Sequence, residues 1–279
     1  MAIQNYGKKW MSKPPIGTQI NRGHPLTIGL VGCWLFNEEG GFVQNLVSGV
    51  LASVSNYTAP NWVVNLPGIV WNNPNGGVVG NNYSQLMNPV PFPMTIVGII
   101  LFSNLSTQSG GMILSHSSTD DATTGYRLDF TAAAIPIMRL HLNGISDNNF
   151  SNLTISVANT FYFSAVTVDK NAGTANGYLG FLGSPLTAQA ISGFGSLAAG
   201  TITTTFLLDS PNGPPVAPGQ CSEILFYNRV LTSGEINWLN ADPYAFMMPM
   251  SPARRQNKQL TAAAGGVTTP LRMRTGMGV

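Results

Sequence analysis

The sequence predicts an all-β protein: a two-sheet antiparallel β-sandwich of the jelly-roll kind, closed by one short C-terminal helix and flanked by extended basic arms. Three observations lead there. Charged residues make up 9% of the 279 positions and hydrophobic residues 44%, with Gly, Pro, Ser, Thr and Asn throughout, a composition of short strands and frequent turns. Apolar stretches of strand length recur about ten times with turn residues at their ends. Charge is divided unevenly: residues 1–27 hold Lys8, Lys9, Lys13 and Arg22, residues 245–279 hold Arg254, Arg255, Lys258, Arg272 and Arg274, and neither segment has an acid. All 11 acids lie between, against Arg127, Arg139, Lys170 and Arg229, so the body stands at −7 and the two arms together at +9.

Along the chain, the opening stretch "PPIGTQINRGHPLT" (14–27) has Pro and Gly but neither a helical nor an alternating period, and reads as extended chain whose order comes from docking. Strands are expected at "LVGCWLFN" (30–37), "GIVWN" (68–72), "MTIVGIILFS" (94–103), "GMILSH" (111–116), "YRLDFT" (126–131), "IMRLHLN" (137–143), "TFYFSAVTVDK" (160–170), "NGYLGFLG" (176–183), "TTTFLLD" (203–209) and "SEILFYNRV" (222–230). In "YRLDF", Arg127 and Asp129 alternate with Tyr126, Leu128 and Phe130, which makes one face wet and the other dry; "IMRLHL" repeats the pattern with Arg139 and His141. After the last strand Thr232 is placed to cap a helix and Glu235 to complete a capping box, with Leu231 and Ile236 as a hydrophobic staple and Pro243 as the stop. Residues 249–279 are poor in bulky side chains and are expected to be disordered in an isolated monomer. The expected division is an N-terminal arm (1–27), a sandwich (28–244) and a C-terminal arm (245–279).

The start has basic residues with no apolar core behind them, so no signal peptide is read. The longest apolar run, "MTIVGIILF" (94–102), is far short of the roughly 20 residues of a membrane helix, and a soluble protein made in a cytoplasm is expected. Cys33 and Cys221 belong to no Cys-x-x-Cys or Cys/His cluster and read as buried free thiols. His24, His116 and His141 are scattered, and their order builds no nucleophilic triad. His24, inside "NRGHPL", is better placed to anchor the arm through a hydrogen bond. No cofactor is expected.

Glycosidases of sandwich folds set two carboxylates about 5–5.5 Å apart across the sugar bond. The glutamates Glu38, Glu39, Glu223 and Glu235 offer no such pair, because Glu38 and Glu39 are adjacent and would face opposite sides of a strand, Glu235 serves the cap, and Glu223 stands alone. No catalytic residue is assigned. Asp120 and Asp121 in "SSTDDATTG" (117–125) are the best local candidates for calcium, but a hard cation takes about six to eight oxygens and nothing here has a spacing that assembles them; a solvated turn is expected and no metal ligand is assigned. Trp62, Trp71 and Tyr83 lie in Asn-rich sequence ("NWVV", "VWNN", "NNYS") suited to glycan contact, with packing beneath a loop as the simpler reading. Sparse charges and an acidic body argue against nucleic acid. An acidic protein surface is the expected partner, which makes Lys8, Lys9, Lys13, Arg22, His24, Arg254, Arg255, Lys258, Arg272 and Arg274 candidate assembly contacts.

"GLVGCWLFNEEGG" (29–41) resembles the opening strand of laminin-G-like, concanavalin A-like domains, and "SEILFYNRVLTSGEINWLNADPY" (222–244) resembles their closing strand and short helix. The likeness covers about residues 28–244, and it implies that the first and last strands are neighbours in one sheet, which argues against a Cys33–Cys221 disulfide. Ser222 stands where that closing strand commonly has Asp, so an inherited acidic pair is missing. "GTQINRGHPLTIGLVGCWLFNEEGG" is similar to the start of such proteins encoded by tailed bacteriophages. This resemblance implies a non-enzymatic virion structural protein, a capsid decoration held by its arms to the major capsid protein or other virion proteins and to copies of itself, a trimer being one common form. The alternative it leaves open is a glycan-binding adhesin of a tail or head fibre, meeting host surface glycans.

Overall fold

The computed structural model describes residues 13–14, 17–37, 43–55, 61–63, 68–71, 82–86, 93–103, 105, 112–117, 125–131, 133–142, 145–169, 171–193, 204–207 and 219–248. The chain opens with β1 (Gln19–Ile20), a 3-10 turn (Pro25–Thr27), β2 (Leu30–Trp34), β3 (Val43–Gln44), β4 (Leu51–Ser55), β5 (Asn61–Val63), β6 (Gly68–Trp71) and β7 (Asn82–Leu86). The longer strands follow: β8 (Met94–Phe102), β9 (Met112–Ser117), β10 (Gly125–Phe130), β11 (Ile137–Leu142), β12 (Ile145–Thr154), β13 (Phe161–Asp169), β14 (Thr174–Phe181), β15 (Thr187–Ser192), β16 (Thr204–Leu207) and β17 (Gly219–Tyr227). Helix α1 (Ser233–Ala241) and β18 (Met247–Met248) complete the described chain. No helix among these residues is long and apolar enough to cross a membrane.

Two antiparallel sheets form the body, as expected. Sheet I runs β12-β11-β10-β9-β16-β7-β4-β3 and sheet II runs β15-β14-β13-β8-β17-β6-β5, with β2 also paired to β17. The first and last long strands are therefore neighbours. β17 keeps β8 along one side, while its other side is shared: Gly219–Cys221 pair with β6 and Ile224–Tyr227 with β2. The register slips between Cys221 and Glu223, where one neighbour hands over to the other.

Between the sheets, Trp34, Ile96, Ile100, Val166, Ile224 and Phe226 of sheet II meet Tyr126, Leu128, Phe130, Met138, Leu140 and Phe150 of sheet I. Edge-to-face ring pairs cross the gap, Phe102 with Phe130 at 5.5 Å and Tyr126 with Phe226 at 5.6 Å. Gly177 of β14 lets the layers close, because a Cβ there would stand 2.6–2.7 Å from Met138, Leu153 and Phe150.

Sheet II is covered on its other face as well. Leu231, Ile236 and Leu239 at and within α1, together with Phe246, Leu26 and Ile20, pack onto Cys33, Val97, Ile99, Phe163, Leu225 and Tyr227. This double cover explains why all nine residues of β8 are buried and why it reads as one continuous apolar run. It also separates the thiols: Cys33 belongs to the outer layer and Cys221 to the inter-sheet layer, and both are free and buried. Residues 17–27, expected as arm, form a strap on this outer face, with β1 paired to β18 through Gln19↔Met248 and Ile20↔Met247. Gly29 carries the strap into β2 at φ +74, and a Cβ there would meet the Asn228 side chain at 2.8 Å.

Candidate functional site

Glu223, the acid at the head of the closing strand, is sealed in the outer layer. It is 1% exposed, and neither carboxylate oxygen has a hydrogen-bond partner. Burial raises its pKa to about 8, with the Lys13 charge pulling down and Asp242 pushing up. A carboxyl closed off in this way has no route to a sugar bond. The Tyr227 and Tyr244 phenols beside it are pushed up by the same burial.

Glu235 has the structural role its spacing predicts. Its carboxylate takes two hydrogen bonds from Arg229 at 2.9 and 2.7 Å and one from the Thr232 backbone N–H at 2.9 Å, while the Thr232 hydroxyl accepts from Glu235 N. The Arg229 bonds, outweighing the partial burial, hold its pKa down at about 2. Arg229 also donates from Nε to Ile28 O at 2.7 Å, so one guanidinium fastens the start of α1 to the entry of β2.

The described residues of the N-terminal arm turn onto the chain's own body. Lys13 Nζ donates to Leu35 O, Arg22 Nη2 donates to Val47 O at 2.7 Å, and His24 Nδ1 accepts from Leu26 N at 3.2 Å. The His24 ring meets Trp238 edge-on at 4.9 Å. Lys8, Lys9, Arg254, Arg255, Lys258, Arg272 and Arg274 lie outside the described residues, as do Glu38, Glu39, Asp120 and Asp121.

The face of β10 and β11 expected to be wet is instead largely buried, with Arg127, Asp129 and His141 at 7%, 3% and 5% exposure, and it holds the largest charged cluster among the described residues. Asp129 takes Arg139 Nε on Oδ1 and Arg139 Nη2 on Oδ2, each at 2.8 Å, while Arg127 Nε stands 2.9 Å from Oδ2. Arg127 Nη2 and His141 Nε2 are 2.6 Å apart. Burial pushes the Asp129 pKa up, but the His141 and Arg139 hydrogen bonds and the charges of Arg139 and Arg127 bring it below the usual range. A carboxylate held ionised by two guanidiniums is a poor proton donor, and the cluster ties two strands together. No group of three or more His, Cys, Asp or Glu side chains able to hold a metal occurs among the described residues.

Of the aromatic candidates, Trp62 in β5 and Trp71 in β6 come together on one hairpin. Trp62 is paired with Ile69, two positions from Trp71. Tyr83 lies in the other sheet, paired with Val54 and Leu207. The side chains of all three lie outside the described residues. Sequence reasoning passed over Trp238, which is 44% exposed on α1. The signal was there: Trp238 falls off the stripe of Ile236 and Leu239 that the helix buries.

No protein-family model matches the chain, and no curated protein matches it. Solved structures do match in fold. A Trypanosoma rangeli sialidase in complex with sialic acid aligns with a TM-score of 0.53 at 17% identity, over 78% of this chain and 33% of that one. The binding domain of botulinum neurotoxin serotype G aligns at 0.56 and 13% identity, over 77% of this chain and 51% of its own. A botulinum neurotoxin DC binding domain in complex with SialylT aligns at 0.51 and 14% identity, over 76% and 50%. The chain thus spans about a third of the sialidase and half of the toxin domains, and shares with them a lectin-like β-sandwich fold.

Proposed function

We propose that this chain is a non-catalytic carbohydrate-binding module. The observation that carries the reading is the β5–β6 hairpin, which brings Trp62 and Trp71 to neighbouring register positions at the edge of a lectin-like sandwich. Indole rings give sugars a flat apolar contact face, and lectin sites are built from such rings with a few polar groups. Support also comes from the fold neighbours, one of which was captured with SialylT and another with sialic acid. The non-catalytic half is supported by carboxylates among the described residues: Glu223 is sealed, Glu235 caps a helix, Asp129 is clamped by arginines, Asp169 accepts from Asn171 N and Ala172 N in a hairpin turn, and Asp242 is the C-cap residue of α1, its backbone N–H donating to Trp238 O at 2.8 Å. A glycan array tests the reading. Binding that falls at least tenfold in Trp62→Ala and Trp71→Ala is expected, with Tyr83→Ala as the control in the other sheet; silence across the array, or binding indifferent to both tryptophans, overturns it.

A second reading, a virion component held by basic arms to an acidic surface, is favoured by one observation. The Gln19↔Met248 pairing sets the start of the C-terminal arm beside the strap that continues the N-terminal one. Because residues 17–27 belong to the body, the deletions that test it are 1–12 and 249–279. Loss of incorporation into particles with the sandwich still folded is expected, and normal incorporation of both truncated chains removes the reading.

A further inference from the structure

The strap does not lie flush on the body. Between them runs a cleft of about 470 Å³, lined among the described residues by Thr18, Gln19, Ile20 and Arg22 of the strap and by Gln44 and Leu46 at β3. That volume falls in the range of small-ligand sites, about 300–1,000 Å³. Its two walls come from segments more than 20 residues apart in sequence, tied to each other by the hydrogen bond from Arg22 to Val47 O.

The chemistry of the lining is one-sided. Among the described residues it carries two carboxamides, a hydroxyl and a guanidinium, and no carboxylate. Arg22 is positioned: its Nη2 is held by Val47 O at 2.7 Å, and among the described residues no carboxylate pairs with it. The other arginines with described ion pairs, Arg127, Arg139 and Arg229, each sit against Asp129 or Glu235. Gln44 Nε2 donates to Gly49 O at 3.3 Å, which fixes the amide on the opposite wall. Ile20 and Leu46 supply apolar surface between these groups.

A held guanidinium recognises a carboxylate through charge-assisted, planar hydrogen bonds, and neutral amides exchange donors and acceptors with hydroxyls. We infer that this cleft binds a carboxylated saccharide, its carboxylate on Arg22 and its ring hydroxyls on the Gln19 and Gln44 amides. The inference rests on the carbohydrate-binding reading and adds to it a ligand class and a site built from residues other than the tryptophan hairpin.

The test is a calorimetric titration of the full chain with sodium glucuronate, glucose and sodium acetate, repeated on Arg22→Gln and Gln44→Ala. Glucuronate is expected to bind at least tenfold more tightly than glucose or acetate, and Arg22→Gln to weaken it tenfold or more with at most a small fall in melting temperature, since the one hydrogen bond lost, to Val47 O, is exposed. Gln44→Ala should weaken glucuronate and leave acetate as it was. Equal response to glucose and glucuronate, an acetate response as strong as glucuronate, or a glucuronate response untouched by Arg22→Gln overturns the inference. A chain that ignores glucuronate yet binds neutral glycans through Trp62 and Trp71 loses this site and keeps the wider reading; one that is silent to every sugar loses both.

Discussion

The two apolar layers of this molecule share sheet II and differ in what they admit. Between the sheets no charged side chain is buried among the described residues, and the ion pairs of β10 and β11 are turned to the opposite face of sheet I. The layer beneath α1 and the strap buries Glu223, and polar bonds fasten it at several points. The Thr95 hydroxyl donates to Arg229 O at 2.7 Å and accepts from Leu231 N at 3.0 Å. Asn240 donates to Ser184 O at 2.6 Å and accepts from Gly183 N at 2.9 Å, which pins α1 to the β14–β15 turn. The inner layer is held by matching faces of long strands, whereas the outer one is assembled from short segments that need specific partners. Its stability is therefore the one that answers to pH and to single polar substitutions.

The largest effect should come from the inner layer. Trp34, fully buried between the sheets, leaves a void when truncated, and Trp34→Ala is expected to cost about 3–5 kcal/mol in urea unfolding. A loss below about 1 kcal/mol would show that this layer is not the main source of stability. Next comes Glu223, whose effect carries a pH signature. Its pKa is raised from 4.5 to about 8 by burial, so between those values the folded chain holds a proton that the unfolded chain has released. Stability from this group is intact below pH 4.5, falls as pH rises towards about 8, and stays level above it. By pH 7 the loss amounts to about 3 kcal/mol. Glu223→Gln should remove that slope, so that the difference between variant and native chain grows from pH 4.5 to 8. Parallel unfolding profiles across this window would mean that Glu223 is ionised and paired in the folded protein.

The same contrast decides what could be read in advance. The ten expected strands all have counterparts in the structure: "MTIVGIILF" states its burial through a continuous run, and "YRLDF" states its inward face through a strict alternation, although Arg127 and Asp129 on its other face are buried too, their charges compensated within the Asp129 cluster. Eight strands, β1, β3, β4, β5, β7, β12, β15 and β18, escaped, the longest of them β12 and β15. In β12 the buried Phe150 and Leu153 are three apart, since the register against β11 slips between Ile137 and Arg139 and breaks the period. In β15, "TAQAIS" has one bulky residue and is exposed along most of its length, so it carries no apolar face to detect. The capping box of α1 was legible because it is local, three residues from end to end. The Arg22 cleft was not, because Gln44 and Leu46 reach Arg22 only after the strap docks, and the strap has no period of its own.

Smaller than these is the effect of crowding the inner layer where it is narrowest. Gly177→Ala would set a methyl 2.6–2.7 Å from the ends of Met138, Leu153 and Phe150, side chains that can yield in part, and a cost of about 1–3 kcal/mol is expected. The alternative outcome, a variant as stable as the native chain, would place slack between β14 and sheet I.

The smallest expected effect separates the layers most directly. Thr232→Ala removes the acceptor for Glu235 N and one donor to the Glu235 carboxylate, and should cost about 1 kcal/mol. Hydrogen exchange shows where that loss falls. If the outer layer opens separately, amides of α1 speed up while those of β8 and β13 keep their native rates; a uniform increase would make the two layers one cooperative unit. Acid sharpens the same measurement. Glu235, held near 2 by Arg229, contributes stability that is present above its ordinary value of 4.5 and lost as pH falls towards 2, the opposite sign to Glu223. Lowering the pH through that window should therefore loosen α1 at its cap even as the buried Glu223 is at its least costly, and Thr232→Ala should make α1 amides exchange faster still.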